Sequence, residues 1–181
     1  MNVQKRTSAN TSINRNKLPA AFQRFRPWGA VLDYGCGKYI DHIRTYCENN
    51  GAREYFPFDP FNRTMDENAA ASMIGEIHGY DTIFCCNVLN VIDSGDIIWN
   101  VIYTMFNWCK HYGRIIIQIY EGDRTGKGRE TKDDCYQRNE KPLIMSAIWA
   151  RVKALHLHTK SKITSLSLER GLEYANPCIF Q

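Results

Sequence analysis

The most specific chemistry in this chain lies in one short segment, Asp33-Tyr34-Gly35-Cys36-Gly37, and in one later acid, Asp59. Two glycines one residue apart let a ligand approach the backbone closely, because they carry no Cβ, and a helix starting behind them offers N–H groups to bind it. Asp59 lies 22 residues past Gly37, close to the ~20 at which an acid meets a ribose diol. A two-glycine turn alone is weak evidence. Joined to a spaced acid and an alternating strand–helix pattern, it points to a nucleoside-containing ligand.

A second candidate is the stretch Tyr120–Lys132, which mixes Glu121 and Asp123 with Arg124, Lys127, Arg129, Lys132 and three mobile glycines. It fits a lid over an anionic substrate in which Glu121 or Asp123 takes a proton from the reacting group, and equally a solvated loop with ordinary charges. His156 and His158 share one face of a strand, but no carboxylate or cysteine stands near enough in sequence to complete a metal set, so no metal site is expected. The seven cysteines form an odd set without a C-x-x-C pair, which argues against a disulfide framework or a structural zinc and for buried thiols. Lys153–Lys162 is a basic segment that suits a solvated face or contact with nucleic acid, and the tail Lys5–Lys17, with Lys5, Arg6, Arg15 and Lys17, suits an arm folded over a bound ligand or phosphate, or a disordered one.

These residues need a scaffold, and the surrounding pattern supplies one. Ala30–Tyr34, Glu54–Phe58, Tyr80–Asn87 and Arg114–Tyr120 read as strands, the last apolar enough to be buried on both faces of a parallel sheet. Between them, helices are expected from Leu18, from Ile40 to Cys47, within Asn62–Gly79, and from Ile97 to Trp108, the last capped by Asp93–Asp96 and stopped by Gly113. Pro57 makes its strand short or irregular. Leu143–Val152 reads as a further helix, and Ile163–Leu168 and Tyr174–Phe180 as two final strands joined at Glu169-Arg170-Gly171. The order specifies a doubly wound α/β sheet whose ligands sit at the carboxyl ends of the strands.

The 181 residues suit one domain. With 44% hydrophobic and 23% charged residues, disordered and fibrous classes are excluded. Residues 1–26 are expected to form an arm and short helix, and 27–181 the domain. No apolar run approaches the ~20 residues of a membrane span, and Met1–Arg26 is too polar for a signal peptide, so a soluble cytoplasmic protein without membrane contact is expected. The +4 charge permits a polyanionic partner without requiring one.

Asp33-Tyr34-Gly35-Cys36-Gly37 resembles the first motif of the Rossmann-like, class I S-adenosylmethionine-dependent methyltransferases, Asp59 their ribose-binding acid, and Asp81–Asn87 their fourth strand. Asp59-Pro60-Phe61 and Asn87–Ile92 are similar to stretches of small phage-borne methyltransferases and of methyltransferases associated with DNA phosphorothioation. The resemblance covers Val31–Tyr120. It implies a mostly parallel sheet of the seven-stranded type with helices on both faces and a C-terminal β-hairpin. The short span from Asn62 to Tyr80 implies a third strand that is reduced or missing. It further implies S-adenosylmethionine as cofactor, with Asp33, Gly35, Gly37, Asp59 and Asn87 as its contacts. Tyr39 stands where the family's third glycine is usual, which weighs against a dinucleotide more than against S-adenosylmethionine.

The acceptor is less constrained. Methylation of a base amino group calls for an Asp/Asn-Pro-Pro-aromatic motif after strand four, where this chain has Cys86-Asn87-Val88-Leu89-Asn90; cytosine C5 methylation calls for a Pro-Cys that is absent there. A nucleic acid or a small anionic substrate is favoured. The alternatives are a non-catalytic methyltransferase-like binding module and a cofactor-consuming anti-restriction protein.

Overall fold

The computed structural model describes residues 17–120, 125, 127–131, 135–137, 155–160 and 163–169, the last two ranges as backbone. In chain order the elements are α1 (Ala20–Arg24), β1 (Gly29–Tyr34), α2 (Asp41–Asn49), β2 (Ala52–Phe58), α3 (Met65–Ile77) and β3 (Tyr80–Cys86). A 3-10 turn (Leu89–Val91), α4 (Gly95–Trp108), β4 (Cys109–Tyr120), β5 (Arg129–Glu130), β6 (Tyr136–Gln137), β7 (Leu155–Lys160) and β8 (Ile163–Glu169) follow. Six strands form one sheet in the order β2-β1-β3-β4-β8-β7. The first four are parallel, and β8 and β7 run antiparallel as a C-terminal hairpin. β5 and β6 pair separately.

The period of two along each strand sends alternate side chains into two cores. Leu32, Ile83, Cys85, Ile115 and Ile117 meet α3 and α4 on one face, where Met105 and Trp108 are buried. Val31, Phe84 and Ile116 meet α1 and α2 on the other, with Phe22, Ile43 and Cys47. Phe22 stacks on Phe84 at 3.9 Å between ring centroids, which seats α1 over the middle of the sheet. Helices therefore cover both faces, as a parallel sheet requires.

The third strand is missing. From Asp59 to Gly79 the chain forms only α3, whose first turn is fixed by a reciprocal capping box between Thr64 and Glu67. Among the described residues that leaves β2 at the edge of the sheet, where one row of its amides needs no partner and Pro57 is tolerated.

Two expected boundaries are corrected. Gly113 does not stop α4, which ends at Trp108; it lies inside β4 at an irregularity, where a Cβ would stand 2.7 Å from the Tyr80 carbonyl oxygen. Only glycine lets the strands approach so closely there. The hairpin partner of Ile163–Glu169 is Leu155–Lys160 rather than Tyr174–Phe180, because a two-residue connection closes it directly and its register is continuous from Lys160↔Ile163 to Leu155↔Leu168. Tyr174–Phe180, the helix expected at Leu143–Val152 and the Met1–Asn16 arm lie outside the described residues. No helix among the described residues is long and apolar enough to cross a membrane.

Because the capping box holds the first turn of α3, Thr64→Ala should lower stability by about 1 kcal/mol. Urea unfolding checks this, and an unchanged midpoint excludes the cap as a contributor.

Candidate functional site

β1 delivers Asp33 and Tyr34 to the carboxyl edge of the sheet, and the chain then turns through Gly35 and Gly37, whose φ angles are 73° and 72°. Those left-handed conformations strain any residue with a Cβ. A Cβ on Gly35 would also fall 2.3 Å from Cγ2 of Val88, so the loop after β3 sits directly against the glycine turn.

The turn is clamped to the end of β2. The Gly35 and Cys36 amides both donate to the Phe58 carbonyl, at 2.6 and 3.2 Å. The Gly37 amide donates to Oδ2 of Asp59 at 2.9 Å. Asp59 Oδ1 accepts from the Phe61 and Asn62 amides, and Oδ2 accepts a further bond from Asn62 Nδ2 at 3.2 Å. Its main chain is paired with the Asn68 side chain of α3 in both directions. Arg63 completes the clamp by donating to the Lys38 carbonyl. The capping box thus has a second consequence: by starting α3 at a fixed place it positions Asn68 against Asp59.

Asp33 is buried and accepts a 2.7 Å hydrogen bond at Oδ2 from the Tyr55 hydroxyl. Burial pushes its carboxyl up to about 7; the Tyr55 bond opposes that shift, and the nearby Asp59 charge adds to it. The Tyr55 hydroxyl is itself pushed upward, mainly by burial. The Cys36 thiol is also driven up by burial and by the Asp33 and Asp59 charges, which makes it a poor nucleophile.

Asn87 follows β3 with a φ of 61°, uncommon outside glycine. Gln118 holds it there: the Asn87 amide donates to the Gln118 carbonyl at 2.8 Å, and Gln118 Nε2 donates to Asn87 Oδ1 at 3.2 Å. The same Gln118 side chain accepts from the Ala21 amide at 2.8 Å, which satisfies a free N–H in the first turn of α1.

Asp33, Gly35, Gly37, Asp59 and Asn87 therefore converge at the carboxyl ends of β1, β2 and β3. Glu121 and Asp123 lie outside the described residues. Tyr55, Asn68, Val88 and Gln118 join the site without having been expected. Only Gln118 left a trace in sequence, as the polar residue that interrupts the isoleucine run Ile115–Ile119. Among the described residues no group of three or more His, Cys, Asp or Glu side chains is placed to hold a metal ion.

Comparison with known proteins places this geometry in a fold. No protein-family profile and no curated protein matches the sequence. Solved structures do match. The 1,6-didemethyltoxoflavin-N1-methyltransferase of Burkholderia thailandensis, with bound 1,6-didemethyltoxoflavin and S-adenosylhomocysteine, superposes with a TM-score of 0.54 at 18% identity, over 80% of this chain and 72% of its own. An S-adenosylmethionine-dependent methyltransferase from Clostridium acetobutylicum gives 0.55 at 12% identity, over 90% of this chain and 96% of its own. One from Methanosarcina mazei gives 0.57 at 9% identity, over 87% and 99%. The chain thus has the Rossmann-like fold of the class I S-adenosylmethionine-dependent methyltransferases.

The raised pKa of Asp33 has a testable sign. An acid whose folded value exceeds its unfolded ~3.9 binds its proton more tightly when folded, so its contribution is complete below that value and is lost as pH rises through about 7. From about pH 5 to about pH 7, wild-type protein should lose up to about 2 kcal/mol relative to Asp33→Asn. Urea unfolding at both pH values measures it; parallel profiles exclude a protonated Asp33.

Proposed function

We propose that the protein is an S-adenosylmethionine-dependent methyltransferase whose cofactor lies across the carboxyl ends of β1, β2 and β3. The observation that carries this reading is the clamp of Asp33, the Gly35–Gly37 turn and Asp59 at one sheet edge, in a fold shared with enzymes that bind S-adenosylmethionine or its product. The donor set fits the cofactor: two acids, a backbone turn free of Cβ atoms, and a polar loop from β3. When bound, S-adenosylmethionine supplies an electrophilic methyl group whose sulfur departs neutral, so alignment matters more than a base.

In this reading Gly35 and Gly37 line the methionine portion, and the buried Asp33 orients its amino-acid end. Asp59 binds the ribose. Its carboxylate already accepts four hydrogen bonds, which fills the lone-pair sites of the group. A ribose diol must therefore displace the longest of them, that from Asn62 Nδ2, leaving the three backbone bonds to keep the loop in place. Asn87, held by Gln118, faces the cofactor from the β3 side. Glu121 and Asp123 are proposed to meet the acceptor from the loop after β4. That acceptor is a nucleic acid or a small anionic molecule, in line with the mildly basic charge. The likeness to phage-borne and phosphorothioation-associated enzymes belongs to this same reading, as does action in the cytoplasm.

Calorimetric titration with S-adenosylmethionine tests the central assignment. Asp59→Ala should weaken binding by roughly tenfold to a hundredfold, the loss expected for hydrogen bonds to a charged partner. Asp59→Asn, which keeps an acceptor for the Phe61 and Asn62 amides, should separate loss of the ribose contact from collapse of the loop. Equal affinity in wild type and both variants removes Asp59 from the site.

A further inference from the structure

Asn90 holds a buried polar atom that the cofactor reading leaves unexplained. It sits in the 3-10 turn after β3 and is 3% exposed. Its Nδ2 donates to Oε1 of Gln137 at 3.3 Å, while Oδ1 is buried with no hydrogen-bond partner. Gln137 in turn donates from Nε2 to the Tyr120 carbonyl, also at 3.3 Å. Asn90 is therefore enclosed between the carboxyl ends of β3 and β4, beneath the β5–β6 hairpin. Val88, two residues earlier, is the side chain packed on Gly35. The orphan oxygen thus lies one short turn away from the proposed cofactor site, on its β4 side.

A buried carbonyl without a donor is unfavourable, and native structures hold few of them. An apolar side chain of the same volume would serve the fold better at this buried position. The Gln137 side chain stands over it, bonded at 3.3 Å both to Asn90 and to the Tyr120 carbonyl.

We propose that Asn90 is a specificity-determining residue whose Oδ1 accepts a hydrogen bond from the methyl acceptor. This rests on the methyltransferase reading above and narrows its substrate class. An amide oxygen only accepts, so it selects an acceptor that carries hydrogen on the reacting atom: a primary or secondary amine, an amide N–H or a hydroxyl. It repels tertiary amines, thioethers and aprotic ring nitrogens, whose lone pairs face it. In the transfer the acceptor's lone pair forms the new bond to the methyl carbon, the carbon–sulfur bond breaks with its electrons staying on sulfur, and the acceptor's proton passes to solvent. Asn90 takes no proton. It aligns the acceptor so that the lone pair and not the hydrogen points at the methyl group.

The test compares wild type, Asn90→Leu and Asn90→Asp by three readouts: urea unfolding, calorimetric binding of S-adenosylmethionine, and transfer from methyl-labelled S-adenosylmethionine to separate pools of DNA, RNA, protein and small metabolites. Asn90→Leu should unfold at the same or higher urea concentration and bind the cofactor within about twofold of wild type, yet transfer label at least roughly tenfold more slowly. Asn90→Asp, which keeps an oxygen in place, should retain more transfer than Asn90→Leu. Unfolding of Asn90→Leu at lower urea, or a failure to fold, would show the amide to be structural and overturn the proposal, as would wild-type transfer rates in that variant. Wild-type transfer rates in Asn90→Leu overturn this proposal alone, whereas wild-type protein that binds S-adenosylmethionine but labels no pool overturns the methyltransferase reading with it, as does wild-type protein that does not bind the cofactor.

Discussion

The carboxylate of Asp59 is the interaction on which the rest of the site depends. A glycine turn in left-handed conformation has no preferred shape of its own, because glycine loses more freedom on folding than any other residue. Here the Gly37 amide is fixed by a charge-assisted bond to Asp59, and the Gly35 and Cys36 amides by the Phe58 carbonyl just before it. One segment at the end of β2 therefore shapes the turn at the end of β1. The Asn68 side chain of α3 locks that segment from behind, so helix position, strand end and glycine turn are set together.

A second set of constraints enters from the opposite core. Gln118 is a polar side chain in the middle of a buried strand, a costly place for an amide unless its hydrogen bonds are made. Its oxygen takes the Ala21 amide and its nitrogen donates to Asn87. The short α1, which has no side-chain cap of its own, is thereby joined through the sheet to the strained loop after β3. Five residues are too few for a helix to persist alone. α1 exists because Phe22 stacks on Phe84 and Gln118 completes its first turn.

Much of this architecture was legible in sequence because it rests on local signals. Continuous apolar runs marked β3 and the core of β4, and the glycine turn with its spaced acid marked the end of the sheet where the clamp forms. The deficit between Asn62 and Tyr80 correctly foretold the lost third strand. What was not legible depends on contacts distant in sequence. Gly113 has the composition of a helix stop, but its place is decided by the approach of Tyr80 across the sheet. Tyr55 reads as one more strand aromatic until its hydroxyl is seen on Asp33. The alternation of His156 and His158 was read as one face of a strand, but the final hairpin was drawn from Ile163–Leu168 to Tyr174–Phe180, because which strand pairs with Ile163–Glu169 is decided by register and not by local pattern.

The missing third strand also changes what the protein must guard against. In the fuller sheet β2 is covered by a neighbour, whereas among the described residues here it is the edge, a row of backbone groups open to another chain. Its sequence answers that exposure. Arg53 and Glu54 are exposed and charged at one end, and Pro57 removes an amide at the other. Between them only Tyr55 and Phe56 offer an unmodified edge, too short to recruit a partner strand. Pro57, awkward as a strand former, thus suits an edge that resists pairing with another chain, and the charged pair makes shedding a whole strand compatible with that edge.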